Sequence, residues 1–251
     1  MSLNDFFEIG FIGKFLNENS TLISPNALLW AWIGGFAACA IVAYLLGSLN
    51  FAIIISGRTY KQDIREFGSK NAGMTNMMRT YGKKAAALTL LGDALKAIVA
   101  ALIGYAILGQ LGAYIAGCAC VIGHMYPIFY KFKGGKGVVT TAASVLMCNP
   151  FVFLILLICF VAIVAGTRYI SLGSVMCMLV YPFLLHVWDS WLLPAVILEE
   201  EVLRASPYTL FALLMSVLVI FKHKENIKRL WEGKENKFSF KKSVKSDEVK
   251  K

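Results

Sequence analysis

The sequence predicts an all-α polytopic membrane protein with seven transmembrane helices, the N-terminus outside and the C-terminus cytoplasmic. Three observations carry that reading. Apolar residues make up 58% of the 251-residue chain and charged residues 16%, with a mean hydropathy of +0.65; a soluble domain averages about a quarter charged residues. The apolar residues gather into runs of the length a bilayer core demands, ~20 residues per helix. The basic residues sort to one side of those runs, which the positive-inside rule makes the cytoplasmic side.

Residues 1–27 read as an N-terminal interfacial segment, with an amphipathic helix expected around FFEIGFIGKFL within 1–24. The acidic start MSLNDFFEIG lacks a basic n-region, so no cleaved signal peptide is expected. A transmembrane domain follows over 28–222. Its first apolar run, Leu28 to Ser56, contains no charged residue. Further runs lie at about 85–108, 111–130, 137–148, 151–167, 170–187 and 205–221, the fourth being short for a full crossing. Ser24-Pro25, Asn149-Pro150 and Ser206-Pro207 each offer an N-cap with Pro at the first helical position, starting the first, fifth and seventh spans. A basic cytoplasmic tail, 223–251, begins with the last motif discussed below and ends in the polar stretch KKSVKSDEVKK, expected to be disordered near anionic headgroups.

Charge tests this map. Seven basic residues lie in the loop 57–84, Lys131, Lys133 and Lys136 follow the third span, Arg168 follows the fifth, and eleven more come after Phe221. With seven spans and an outside N-terminus, these 22 share one face, and the other keeps only Lys14 and Arg204 beside Asp189 and Glu199-Glu200-Glu201. The net charge of +10 points to phosphates or anionic lipid as partners. Nucleic acid is not expected, because apolar spans break up the basic residues. The six cysteines all lie in apolar runs without a CxxC pair and read as small packing residues; no metal cluster is expected.

Four cytoplasmic segments carry polar chemistry. GSKNAGMTNMMRTYGKK, residues 68–84, combines turn-forming glycines with Ser69, Asn71, Thr75, Asn76 and Arg79. Such a set can cradle phosphate through backbone and hydroxyl donors and a guanidinium fork; a solvated loop against headgroups accounts for it about equally well. GHMYPIFYKFKGGKG, residues 123–137, ends in a Gly-rich turn tipped by Lys136, and is no Walker A loop because Gly137 stands where Ser or Thr is needed. Its plain alternative is a flexible connector, with His124 a packing residue beside the kink at Pro127. TRYISLGS, residues 167–174, places Ser171 and Ser174 one turn apart, and helix-start capping accounts for at least one of them. FKHKENIKRLWEG, residues 221–233, sets His223 and Asn226 on one helical face of what is otherwise a basic juxtamembrane helix. Asp93 and Lys96, deep in the second span at i,i+3 spacing, can neutralise each other; they read first as a self-paired helix strut without a catalytic part, the alternative being a support beneath the loop that the span follows. There is no GxSxG, no HExxH, and no Asp five positions after any of the three histidines.

Taken together and in this order, the four segments resemble the bacterial membrane acyl-phosphate:glycerol-3-phosphate acyltransferases, the PlsY type. The resemblance runs from about Leu45 to Lys237. It implies a seven-span bundle in the bacterial plasma membrane, with its active site on the cytoplasmic side. It also implies transfer of a fatty acyl group from acyl phosphate to the 1-hydroxyl of glycerol 3-phosphate, giving lysophosphatidic acid and inorganic phosphate for phospholipid synthesis. His223, Asn226 and Ser171 carry over as catalytic positions, and Ser69, Asn71, Thr75, Asn76, Arg79 and Lys136 as substrate-binding ones. No cofactor or metal is implied; membrane lipid is, and the enzyme that forms acyl phosphate is a candidate protein partner. Three departures stand out: Lys70 replaces a Gly of the usual GSGN, Met74 an Ala of GATN, and Asn50 a Pro in GSxPF. Acyl phosphate is already an activated mixed anhydride, so the missing nucleophile triad is no objection. The rival reading is a transporter or channel for a phosphorylated metabolite. It would need polar groups deep in the spans and an open vestibule on both faces, whereas only Asp93 and Lys96 lie deep.

Overall fold

A computed structural model describes residues 8–192 and 206–238. The acidic stretch Glu199-Glu200-Glu201, Arg204 and the tail KKSVKSDEVKK therefore lie outside the described residues. The described chain is helical and divides into two compact units at Cys148/Asn149.

The first unit opens with α1 (Gly10–Glu18), which buries Leu16 and exposes Phe11 and Phe15, an amphipathic helix as expected. α2 (Pro25–Gly47) starts where Ser24 accepts a hydrogen bond from Ala27 N at 3.4 Å, with Pro25 at the first position. The first apolar run is not one helix. It breaks at 48–50 and restarts as α3 (Phe51–Tyr60), because Asn50 leaves helical geometry and its side chain caps Ile53 N at 3.2 Å. α4 (Met74–Tyr81) lies in the loop that follows, and α5 (Lys83–Met125) comes next. Leu108 and Gly109 leave helical angles, with Gly109 at φ 60° and ψ −146°, a backbone state that Gly reaches without a steric penalty. There the chain doubles back: Lys96 Nζ lies 2.9 Å from His124 Nδ1, whereas 28 positions along a straight helix would span roughly 42 Å. The arms 83–107 and 110–125 thus correspond to the second and third apolar runs. α6 (Val138–Cys148) closes the unit and is short, as expected.

Small residues bring these helices close. Cys39, Ala43, Ala97, Ala100, Ala116, Cys120 and Ala143 form one buried seam, the usual way membrane helices pack when lipid offers no hydrophobic drive between them. Five of the six cysteines are buried; Cys159, expected to pack, is exposed on the outer face of the second unit.

That second unit holds α7 (Pro150–Thr167), capped by Asn149 through Val152 N at 3.0 Å, then α8 (Ile170–Val187), α9 (Tyr208–Lys222) and α10 (Lys224–Trp231). α9 starts one residue later than expected. Pro207 is its N-cap, and Ser206 donates to Asp189 Oδ2 at 2.7 Å while accepting from Tyr208 N at 3.3 Å. Phe151, Leu154, Ile158 and Val161 stand exposed along α7, the outer surface expected of a helix facing lipid rather than water. Among the described residues four helical stretches are long and apolar enough to cross a membrane, Pro25–Tyr60 (α2 and α3 together), Lys83–Tyr130 (both arms of α5 and the turn after it), Pro150–Thr167 and Ile170–Ser190, and Val138–Cys148 and Tyr208–Lys222 are shorter apolar helices.

Candidate active site

In the first unit two loops are tied into one platform. Asp63 caps a 3-10 turn over Ile64–Glu66, and the Arg65 guanidinium folds back on it, with Nη2 at 2.6 Å from Oδ2. Those hydrogen bonds hold the Asp63 carboxyl below its ordinary range. Arg65 Nη1 then donates to the carbonyls of Tyr130 and Lys133, both at 3.0 Å. One side chain therefore fastens the 61–82 loop to the 126–137 loop.

Asn76 shapes the first loop from inside. It is 1% exposed, accepts from Ser69 N at 2.9 Å, and donates from Nδ2 to Ile64 O at 3.2 Å and Phe67 O at 2.9 Å. Both amide hydrogens thus go to loop carbonyls, so the geometry gives Asn76 a shaping role that the sequence did not suggest. Ser69 and Lys70 stand exposed on the rim, and Asn71, Thr75 and Arg79 are half-buried. Thr75 and Arg79 are i,i+4 on α4 and so share its half-exposed face. Lys70, where the family has Gly, takes the left-handed conformation itself at φ 56°. The turn survives the substitution, at a local cost of roughly 1–2 kcal/mol for a residue with a Cβ.

The Gly-rich turn folds back over the end of α5. Gly134 N donates to Met125 O at 3.3 Å and Gly135 N to His124 O at 3.1 Å. A Cβ on Gly135 would sit 2.2 Å from His124 Nε2 and 2.5 Å from Ala72 O, so only Gly allows this approach. Ala72 and Gly135 flank Asn71 and Lys136 respectively, and the structure thereby brings these two predicted residues to neighbouring positions.

Beneath the turn lies a buried charged cluster. Lys96 Nζ is 2.8 Å from Asp93 Oδ1 and 2.9 Å from His124 Nδ1, and it donates to Gly47 O at 3.0 Å and Leu49 O at 2.8 Å. Asp93 and Lys96 pair as the sequence suggested. Their link to His124, and through it to Gly135, was not foreseen, since the sequence separates the three by nearly a full hairpin.

The second unit gathers Ser171, His223 and Asn226, all buried. His223 Nδ1 lies 2.7 Å from Val219 O. A carbonyl only accepts, so Nδ1 carries the hydrogen and Nε2 is the lone-pair nitrogen of the neutral ring. Capping, expected for at least one of Ser171 and Ser174, holds for neither. Ser174 bonds back to Ile170 O at 2.9 Å, and Ser171 Oγ donates to Glu235 Oε1 at 2.9 Å. Asn226 Nδ2 donates to the same oxygen at 2.6 Å and Arg229 Nε to Oε2 at 2.8 Å. Burial pushes the Glu235 carboxyl up, but these hydrogen bonds outweigh it and hold the group below its ordinary range. Sequence reasoning passed over Glu235. Its only local signal is Gly233, whose φ of 67° turns the chain back at the end of α10.

The sequence model of the glycerol-3-phosphate acyltransferase family matches residues 37–233. The chain is 42% identical over 198 residues to the glycerol-3-phosphate acyltransferase of Finegoldia magna, covering 78% of this chain and 93% of that one. It is 43% identical over 203 residues to that of Syntrophomonas wolfei, covering 81% and 97%. Among solved structures it is similar to the glycerol 3-phosphate form of PlsY, an integral membrane glycerol 3-phosphate acyltransferase, at a TM-score of 0.70 and 33% identity over 81% of this chain and 96% of that one. The lysophosphatidic acid form of PlsY matches at a TM-score of 0.68 and 32% identity, over 82% of this chain and 96% of that one.

Proposed function

The chain belongs to the glycerol-3-phosphate acyltransferase family, and from that membership we propose that it moves a fatty acyl group from acyl phosphate to the 1-hydroxyl of glycerol 3-phosphate, giving lysophosphatidic acid and inorganic phosphate. It is a multi-pass, all-helical membrane protein that acylates glycerol 3-phosphate in phospholipid synthesis; the acyl-phosphate donor and the cytoplasmic site in a bacterial plasma membrane are our finer reading. The observation that carries it is the contact of Ala72 with Gly135, which sets the Ser/Asn/Thr/Arg loop beside the lysine turn. Hydroxyl, amide and cationic donors on one platform suit phosphate oxygens.

In the step itself the 1-hydroxyl oxygen bonds to the carbonyl carbon, the bond from that carbon to the phosphate oxygen breaks, and inorganic phosphate leaves with the electron pair. Arg79 and Lys136 hold the acceptor phosphate, and Ser69, Asn71 and Thr75 the donor phosphate. Asn226 and Ser171 orient the hydroxyl. The hydroxyl proton passes to a base, for which the leaving donor phosphate and the His223 ring are the two candidates. The deep charges that a transport pathway would need are instead paired with each other.

The test is phosphate release from synthetic acyl phosphate by the purified protein, with and without glycerol 3-phosphate, and with acyl-CoA as the alternative donor. Release that depends on glycerol 3-phosphate, with essentially no turnover of acyl-CoA and no loss on adding a chelator, is expected. Comparable rates with acyl-CoA overturn the donor assignment.

A further inference from the structure

A groove of about 340 Å³ opens in the first unit at the end of α3, lined by Ile53, Gly57, Lys61, Gln62 and Asp63. It straddles a boundary. Ile53 and Gly57 belong to the apolar stretch Pro25–Tyr60, and residues 61–63 to the polar loop that follows. Ile53 and Gly57 are i,i+4 on α3 and so share a face. A Cβ on Gly57 would meet no atom within 4 Å, so the helix leaves a notch there beside the buried Ile53.

Lys61 closes the polar end in a backbone state that suits glycine. It is the C-cap of α3 at φ 56° and ψ 29°, where a Cβ is penalised and Gly is not. Its side chain makes no hydrogen bond or ion pair among the described residues. A helix C-terminus favours a cation, but Arg58 already supplies one in the last turn; that preference explains neither the left-handed lysine nor the notch. The acceptors of the rim are engaged. Asp63 accepts from Arg65 Nε at 3.0 Å and from Nη2 at 2.6 Å, and Gln62 Oε1 accepts from Tyr81 Oη at 3.1 Å. The lysine therefore sets the sign of the groove.

We propose that this groove holds an anionic membrane phospholipid, with an acyl chain along Ile53 and the Gly57 notch and its phosphate on Lys61. A free phosphate would use the lysine but not the apolar wall, whereas a lipid uses both. A zwitterionic headgroup brings a cation of its own and gains less from Lys61. None of the lining residues is assigned to acyl transfer, so lipid binding is read apart from activity.

The experiment is native mass spectrometry of the full-length protein in detergent, titrated with phosphatidylglycerol or phosphatidylcholine, for wild type, Lys61→Gly and Gly57→Leu. Wild type should hold phosphatidylglycerol more tightly than phosphatidylcholine. Lys61→Gly should weaken phosphatidylglycerol about fivefold, the worth of one lysine against an anionic headgroup, and change phosphatidylcholine less. Gly57→Leu fills the notch and should weaken both lipids. Thermal unfolding separates this role from that of a plain cap. In lipid-free detergent Lys61→Gly should melt no lower than wild type, because Gly takes the left-handed position without strain. Added phosphatidylglycerol should raise the melting temperature of wild type and not that of Lys61→Gly. Equal affinity of wild type and Lys61→Gly for phosphatidylglycerol overturns the headgroup contact, and unchanged binding in Gly57→Leu overturns the chain path. Displacement of the lipid by an equal concentration of inorganic phosphate would mean a bare anion site and overturns the lipid assignment.

Discussion

Arg79 presents a guanidinium from the half-exposed face it shares with Thr75. Its value to a phosphate lies in the planar fork, which a lysine cannot copy. Arg79→Ala should cost about 2–5 kcal/mol in transition-state stabilisation, as when one partner of a desolvated charge pair is removed. Arg79→Lys should recover little of it. Both are read from kcat/KM for glycerol 3-phosphate, and near-normal activity of Arg79→Ala at low substrate would take the residue out of the site. Glu235 supports a second prediction at this scale, on stability against pH. Its folded carboxyl sits below the ordinary range, so ionisation stabilises the turn after α10 above the ordinary glutamate range and the contribution fades as pH falls through that range toward the lowered value. The melting temperature of wild type should therefore exceed that of Glu235→Gln at neutral pH, and the gap should close in acid. A gap that widens in acid would reverse the sign of the argument.

At the scale of elements, α5 is held in its hairpin by a charged staple. Lys96 reaches Asp93 on its own arm, His124 on the other, and the carbonyls at the break between α2 and α3. Both side chains of the ion pair are buried, so Lys96→Met leaves the Asp93 carboxylate with only the Phe51 amide and the His124 ring, each at 3.5 Å, and should cost about 3–5 kcal/mol. Adding Asp93→Asn should return part of that loss, and thermal unfolding in detergent reads both variants; equal melting temperatures for wild type and Lys96→Met would show that the cluster holds nothing. The i,i+3 pair was legible in the sequence because helical spacing fixes which side chains can meet. Its third member was not, because the pairing of 96 with 124 depends on the turn at Leu108–Gly109, and a Gly in an apolar run gives no sign by itself that a chain reverses there. The same limit hid the break at 48–50: polar Asn50 sits inside a run without charges, and only its capping bond to Ile53 N reveals a helix start. Ser24 and Asn149 were readable as caps because Pro follows each at the first helical position. Asn76 could be listed as polar and near a turn, but its inward direction follows from tertiary wrapping of 64–69 around it.

At the scale of the whole molecule, each unit independently places its basic loops at one end. In the first, the reversal of α5 and the Arg65 bridge to Tyr130 and Lys133 put the 61–82 and 126–137 loops together. In the second, the Phe238 bond to Arg168 and the shared carboxylate of Glu235 put 167–171 beside 222–238. Under the positive-inside rule we propose that each such end is cytoplasmic; the two arms of α5 would then each cross, giving the seven-span reading with the N-terminus outside. The demanding element is α6, whose 11 residues rise only about 16 Å against a hydrocarbon core of about 30 Å, so the bilayer must thin or the flanking residues must enter it. A cysteine scan with a membrane-impermeant maleimide tests the arrangement. Five native thiols are buried and only Cys159 is exposed, so Cys159→Ala gives a quiet background. Cysteine at position 70 should label only from the cytoplasmic side, and cysteine at position 200 only from outside. Labelling of both from the same side would mean that an odd number of the crossings between them is missing, with α6 the first to be struck out.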